Sequence, residues 1–352
     1  MLLTGATGQI GRLVLCRWLK TGHKAVITLR KPERQWPRLR DWLESQDVSS
    51  ARVDCVKTDF ALADFGWDER ARAGVCTATC VVHLAAMWGW GLDWAQADAV
   101  NVRASLRLHR WASDIGMHGP FICAGGFLTQ VPGYLGRLAL HERDVDWARA
   151  AKRWGTYEMT KFKSYLTMRP PHTRPKDMPI TWIHPATVIG DARAPGIPDH
   201  AAIAGILRSI RRSMLRFVPG AATDLVPWVT GRYVSDYIVA LLLSADDGVT
   251  DHLLLDPHSP SLRDTVALMS KAIGKAEPIG HVPIGWMRGL LKLPVVPDLV
   301  GVSAESLNFI VTAAPDATAS VRWGMRHDVM HPDIGESLVA TAQHWNEHGP
   351  AF

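Results

Sequence analysis

Short apolar runs alternate with longer amphipathic stretches through the first half of the chain, which is the pattern of strands and helices taken in turn. Leu2-Leu3 reads as a truncated first strand, followed by a helix over residues 10–20 with apolar positions Ile10, Leu13, Val14 and Trp18. Further strands are predicted over 25–29, 53–57, 81–85, 121–123 and 180–184. Helices are predicted over 101–115 and 155–168, the second stopped by Pro170 and Pro171. The most apolar stretch, 237–245, is about half the length needed to span a bilayer and reads as a buried helix. Strand–helix alternation of this kind predicts an α/β protein with a doubly wound parallel sheet. Beyond Gly190 the pattern loosens. Residues 1–190, with 225–245 returning to them, are expected to form the first domain, and 191–224 with 246–352 a smaller interleaved C-terminal substrate lobe.

Composition narrows the function classes. The 352 residues are 47% hydrophobic and 21% charged, which excludes a disordered chain. The net charge of +5 is mild and spread along the sequence, so it suits anionic small ligands and gives no argument for nucleic acid. Fifteen Trp against five Tyr and eight Phe invert the usual aromatic balance, an imbalance that codon bias alone can produce. Cys16, Cys55, Cys76, Cys80 and Cys123 are odd in number and mostly in apolar surroundings, so they read as reduced core residues of a cytoplasmic protein. No metal site is expected: Cys76 and Cys80 lack a second pair, and His327 and His331 lack a helical Glu and run into Pro332. No secretory leader or membrane span is read, and only three residues precede the first glycine turn, which suggests a start codon upstream.

That turn carries the first candidate chemistry. Thr4-Gly5-Ala6-Thr7-Gly8-Gln9-Ile10-Gly11 places three glycines three apart between a strand and a helix. Gly5 allows a tight turn, Gly8 a close backbone approach to a pyrophosphate, and Gly11 close packing of helix on strand. The helix start offers free N–H groups and the positive end of its dipole. Thr7, Gln9 and Ile10 complete the cradle. After the second strand an NAD-preferring site places an acidic residue. Here Arg30, Lys31 and Arg34 follow instead, charge suited to a 2′-phosphate, so NADP(H) is expected over NAD(H). Asp59, ending the third strand, is expected near the adenine.

Of the five tyrosines only Tyr157 has a lysine four residues on, Lys161, which a helix places on the same face. An adjacent ammonium is expected to lower the phenol's pKa and fit the pair for moving a proton on and off a carbonyl or alcohol oxygen. With these residues in place the chain resembles the extended, epimerase/dehydratase-like branch of the short-chain dehydrogenase/reductases. The resemblance rests on the glycine turn, Asp59, Val82-His83-Leu84-Ala85-Ala86, Asn101-Val102, the Tyr157–Lys161 pair, and His184-Pro185-Ala186-Thr187-Val188-Ile189-Gly190. Pro227 to Asp236 adds a seventh segment, and the likeness runs over roughly residues 1–290. It implies a Rossmann-type cofactor domain, with Lys161 also binding the nicotinamide ribose and Ala85 and His184 on the cofactor side.

The departures are specific. The family usually ends its fifth strand with a Ser or Thr that bonds the substrate oxygen, whereas this chain reads Phe121-Ile122-Cys123-Ala124-Gly125-Gly126-Phe127-Leu128-Thr129. The hydroxyls of Thr129 and Thr156 and the amides of Gly125 and Gly126 remain as candidates. No acidic residue follows, which disfavours dehydration, and His184 stands where Arg is more usual.

Trp88, Trp90 and Trp94 follow the fourth strand, where such sheets place ligands. They read as an aromatic wall for an apolar substrate or equally as packing. Arg208, Arg211, Arg212 and Arg216 are expected on one helical face, as a phosphate clamp or a solvated surface. The reading is an NADP(H)-dependent oxidoreductase acting on a carbonyl, alcohol or acyl substrate. A nucleotide-sugar epimerase and a non-catalytic dinucleotide sensor are the alternatives. A homodimer is compatible with each.

Overall fold

Six of the apolar runs become strands of one sheet: β1 (Leu2–Thr4), β2 (Ala25–Leu29), β3 (Val53–Lys57), β4 (Val81–His83), β5 (Phe121–Ala124) and β6 (Ile180–Pro185). A seventh, β7 (Asp251–Leu254), was not expected and completes the order β7-β6-β5-β4-β1-β2-β3. It runs parallel to β6, with Trp182 N–H on Thr250 O and Ala186 N–H on Leu254 O. The sheet is parallel and doubly wound, as the alternating pattern implies. The computed structural model describes residues 1–138, 140, 145–170, 172–174, 176–244, 248–293, 296 and 303–351. Pro171 and Ala245 from the sequence reading lie outside them.

The helices that matter for the site are α1 (Gln9–Lys20), α2 (Pro32–Ser45), α3 (Ser105–Asp114), α4 (Thr156–Thr167) and α5 (Gly231–Leu243). The α3 segment departs from expectation. Instead of one helix from residue 101, a π-helical stretch, Ala99–Ala104, runs into it. Such π turns cost hydrogen-bond geometry and concentrate at functional sites. α1 buries Val14, Leu15, Trp18 and Leu19, the helical stripe that its spacing dictates. Leu2, Val81, Phe121 and Trp182 from the strands pack with Trp67, Leu108 and Tyr165 in the same core.

The chain divides into two compact units, Met1–His184 with Ser235–His252, and Pro185–Val234 with Leu253–Phe352. In the second unit Thr187–Ile189 pairs with Trp228–Thr230, and Phe217–Pro219 with Gly280–Val282. Its core holds Ile189, Leu207, Trp228, Leu338 and Trp345. Arg208, Arg211, Arg212 and Arg216 of this unit do not share a helical face. The helix Ala202–Arg211 ends there, and Ser213 turns left-handed at φ 59°, which carries Arg212 and Arg216 out of it. Arg208 pairs with Asp199 at 2.7 Å and Arg211 lies over the Trp345 ring. Cys76 also departs from the core reading, since it is exposed while Cys16, Cys80 and Cys123 are buried. Among the described residues no helix is long and apolar enough to cross a membrane.

Candidate active site

The strand order reverses direction between β1 and β4, so the crevice beyond their carboxyl ends is where an open α/β sheet holds its ligand. Thr4 and His83, the last register partners of these strands, form a bolt across that point. The Thr4 hydroxyl accepts from the Leu84 and Ala85 N–H groups at 3.1 and 3.0 Å and lies 2.8 Å from His83 Nδ1. With both lone pairs taken, its single proton goes to Nδ1. His83 is therefore protonated on Nε2, which donates to Ser105 Oγ at 2.8 Å, and Ser105 donates to Asn101 O. Burial pushes the His83 pKa down to about 3, with the Lys161 charge adding to the shift, so the ring is neutral.

Above the bolt, the glycine turn has little room for side chains. A Cβ on Gly5, at φ +72°, would stand 2.8 Å from Ala85 N, and one on Gly11 would stand 2.1 Å from Gly5 O. α1 begins at Gly8 without a side-chain cap or an acidic residue in its first turn. Its N–H groups at Gln9, Ile10 and Gly11 are thus left for an acceptor from outside, with Thr7 exposed beside them. Arg30, Lys31 and Arg34 are exposed where β2 passes into α2. Asp59 caps its own turn, accepting from Ala61 N–H at 2.9 Å. The residues present fit a dinucleotide: a close backbone cradle, an open helix start, and cations rather than a carboxylate after β2.

α4 brings Tyr157 and Lys161 to the end of β5. Lys161 is buried, and its Nζ donates to Ala124 O at 2.8 Å. The same ammonium lies 5.7 Å from the centre of the Tyr157 ring. Trp88 meets that ring edge-on, with centroids 4.3 Å apart, and Trp90 packs on Trp88 at 5.1 Å. The tryptophan loop is held there by Asn101 from the π-helical stretch. Asn101 accepts from Met87 N–H at 2.7 Å and donates to Met87 O and to Thr160 Oγ1, and Thr160 in turn donates to Tyr157 O. Trp94 lies apart from this cluster, beneath Lys163.

The phenol's pKa moves opposite to expectation. Burial and the neighbouring Glu158 carboxylate push Tyr157 above its ordinary value, while burial lowers Lys161. The lysine does not compensate because its ammonium is spent on Ala124 O and faces the ring. Tyr157 is accordingly a firmly protonated hydroxyl.

Neither candidate hydroxyl is free for a substrate. Thr156 donates to Leu92 O at 2.8 Å, and Thr129 bonds Gly126 O at 2.7 Å and His184 Nδ1 at 2.9 Å. His184 is fully buried, with Nε2 on Asp251 Oδ1 at 3.1 Å, so it braces the β5 turn from below. Asp251 also accepts from Tyr165 and Thr250. The Gly125 N–H is committed to Ile183 O on the β6 side. Gly126 follows in an extended conformation, and no protein acceptor takes its N–H among the described residues. His184 is expected on the cofactor side and instead lies buried against Asp251, which the sequence reading does not single out, while Asn101 stands in the Asn101-Val102 motif without an assigned role.

A family model described as "Male sterility protein", for an NAD-binding domain, matches residues 3–238. The chain belongs to that NAD-binding family. The male sterility family is one of extended short-chain dehydrogenase/reductases, in keeping with the motifs. No curated protein matches the chain as a relative. Among solved structures, the terminal R domain from the myxalamid PKS-NRPS biosynthetic pathway is similar at 17% identity. It covers 99% of this chain and 90% of its own, with a TM-score of 0.73. A thiolation-reductase di-domain from an archaeal non-ribosomal peptide synthetase matches at 17% identity and TM-score 0.71, over 98% of this chain and 74% of that one. WbmG of Bordetella bronchiseptica, in complex with NAD and UDP, matches at 17% identity and TM-score 0.63, over 99% and 95%. At these identities the likeness is one of fold, shared by reductase domains and NAD-binding epimerases.

Proposed function

We propose that this member of the male sterility family is an NADP(H)-dependent reductase that delivers hydride to the carbonyl carbon of an apolar substrate, acyl groups included, with Tyr157 as the proton donor. The observation that carries this reading is the Tyr157–Lys161 pair at the end of β5, with the Trp88 edge on the phenol ring. A bound nicotinamide supplies the hydride. The chain's own residues handle the oxygen. The Tyr157 hydroxyl gives its proton to the oxygen that becomes the alcohol, and the resulting phenolate faces the Lys161 ammonium. A phenol whose pKa is raised rests protonated, so it holds the proton that reduction of a carbonyl requires. The Gly126 N–H stands in for the absent Ser or Thr hydroxyl as the donor to the substrate oxygen. Trp88 and Trp90 form an apolar wall beside it.

Lys161 holds the nicotinamide ribose, and Gly5, Thr7, Gly8, Gln9, Ile10 and Gly11 hold the pyrophosphate. Arg30, with Lys31 and Arg34, takes the 2′-phosphate, while Asp59 and Ala85 border the adenine and nicotinamide ends. His184 serves this site indirectly, through Thr129 and the turn. Five unpaired thiols suit a reducing compartment such as the cytoplasm. The test is a titration with NADPH and NADH followed by a panel of aldehydes, ketones and acyl thioesters, read by nicotinamide absorbance. NADPH is expected to bind at least tenfold tighter. Tighter NADH binding would overturn the role of Arg30, and no turnover across the panel would favour a dinucleotide sensor.

A further inference from the structure

α4 presents a second face away from Tyr157 and Lys161. Measured from Tyr157 at about 100° per residue, Lys161 lies at about 40°, Tyr165 at about 80°, Phe162 at about 140° and Leu166 at about 180°, so the helix turns progressively from the catalytic pair to this second side. That second face closes a cavity of about 700 Å³ against the chain that follows β5. Its walls are apolar at one end, where the Tyr134 and Phe162 rings stack at 5.5 Å and 7° and Leu135 and Leu166 adjoin them.

The other end is polar, with Arg169, Tyr165, Thr129 and Gln130 among its walls. Tyr165, only 7% exposed, gives its proton to Asp251 Oδ1 at 2.7 Å and accepts from Arg169 Nη1. Its hydroxyl is therefore saturated. Asp251 lies behind it, its charge held by His184, Thr250 and Tyr165. Arg169 fronts the cavity with its side chain 42% exposed, 3.6 Å from Asp251 Oδ2. A guanidinium has five N–H donors and no acceptor, so the polar end presents spare donors and a positive charge. The complementary ligand carries an acceptor group, preferably anionic, on an apolar body.

We propose that this cavity is a binding site for an apolar monocarboxylate, its carboxylate on Arg169 and its hydrocarbon beside the Tyr134–Phe162 stack. The site is separate from the proposed reduction site and does not depend on that reading. Thr129 lines the cavity and also bonds the Gly126 carbonyl, so an occupant touches the turn that shapes the end of β5.

Calorimetric titration of the full chain with octanoate and with octan-1-ol tests the proposal in wild type, Arg169→Met and Gly136→Trp. Gly136 lines the cavity, and a Cβ there meets nothing within 4 Å, so a bulky side chain can be introduced at this wall without a clash at its Cβ. Octanoate is expected to bind wild type more tightly than octan-1-ol. Arg169→Met should weaken octanoate by about tenfold or more and leave octan-1-ol within about twofold. Gly136→Trp should weaken both by about tenfold, and NADPH affinity should stay unchanged in both variants. Absence of octanoate binding, equal affinity for the alcohol, indifference to Gly136→Trp, or displacement of octanoate by NADPH would each overturn it. NADPH titration alone reports on the cofactor site, so failure of that reading shows separately.

Discussion

The two neighbouring glycines after β5 give a sharp test, because the same substitution should have opposite consequences at each. A Cβ on Gly125 would stand 2.4 Å from His184 Nδ1 and 2.7 Å from Cε1. The imidazole cannot yield cheaply, being fully buried and tied to Thr129 and Asp251. Restoring an ordinary 3.4 Å contact requires a shift of about 1 Å, enough to break both bonds. One neutral and one charge-assisted hydrogen bond amount to about 3 kcal/mol. Overpacking adds about 1–2 kcal/mol, so Gly125→Ser should cost about 4–5 kcal/mol. At about 2 °C per kcal/mol for a chain of this size, the thermal midpoint should fall by roughly 8–10 °C. Gly126 is different. Its backbone is extended at φ −146° and ψ 145°, and its nearest neighbours to a new Cβ are Lys161 Cβ and Cγ at 3.9 Å. Gly126→Ser should melt within about 2 °C of wild type and keep at least wild-type turnover, since the N–H is retained beside a new hydroxyl. Differential scanning calorimetry decides the matter. A Gly125→Ser protein that melts like wild type, or a Gly126→Ser protein equally destabilised, would refute the packing argument.

Other consequences can be checked alongside. Thr4→Val strips the acceptor from two backbone N–H groups and the donor from His83, and should cost about 3 kcal/mol in urea unfolding. Arg30→Glu should lower the NADPH-over-NADH preference at least tenfold in a fluorescence titration. The pKa of His83 is lowered on folding, so its contribution to stability is complete above its ordinary value of 6.5 and is lost as the pH falls toward about 3. That amounts to about 5 kcal/mol over the range, and His184 shifts in the same direction. Chemical unfolding at pH 7, 5 and 4 should therefore show falling stability, and a flat profile would contradict the buried neutral imidazoles. Tyr157 shifts upward, so its contribution is full below the ordinary phenol pKa and is lost above it. Tyr157→Phe should accordingly extend stability at pH above 10.

How much of this was legible in the sequence depends on the distance over which each feature is encoded. The strands Ala25–Leu29 and Val53–Lys57 and the helix carrying Tyr157 follow from local periodicity, and the glycine turn from residue type and spacing. β7 did not, because Asp251–Leu254 is four residues whose strand character comes from pairing with β6. Whether Thr129 and Thr156 had spare hydroxyls was likewise not local. Each is spent on a carbonyl that the turn or Leu92 brings to it. The Tyr157 pKa departs from expectation because spacing places Lys161 on the same face but says nothing of Ala124 O competing for the ammonium. The arginine run failed at Ser213, where the helix had already ended. The tryptophan excess is partly packing, since Trp18, Trp67, Trp182, Trp228, Trp323 and Trp345 are all buried.

The central claim is that Tyr157 supplies the proton for carbonyl reduction. It is tested most directly by measuring single-turnover oxidation of NADPH by a turned-over aldehyde or ketone in wild type and Tyr157→Phe. NADPH affinity is read in parallel. The account predicts a rate at least about 100-fold lower in the variant, with NADPH binding unchanged. An equal rate in the two proteins would contradict it.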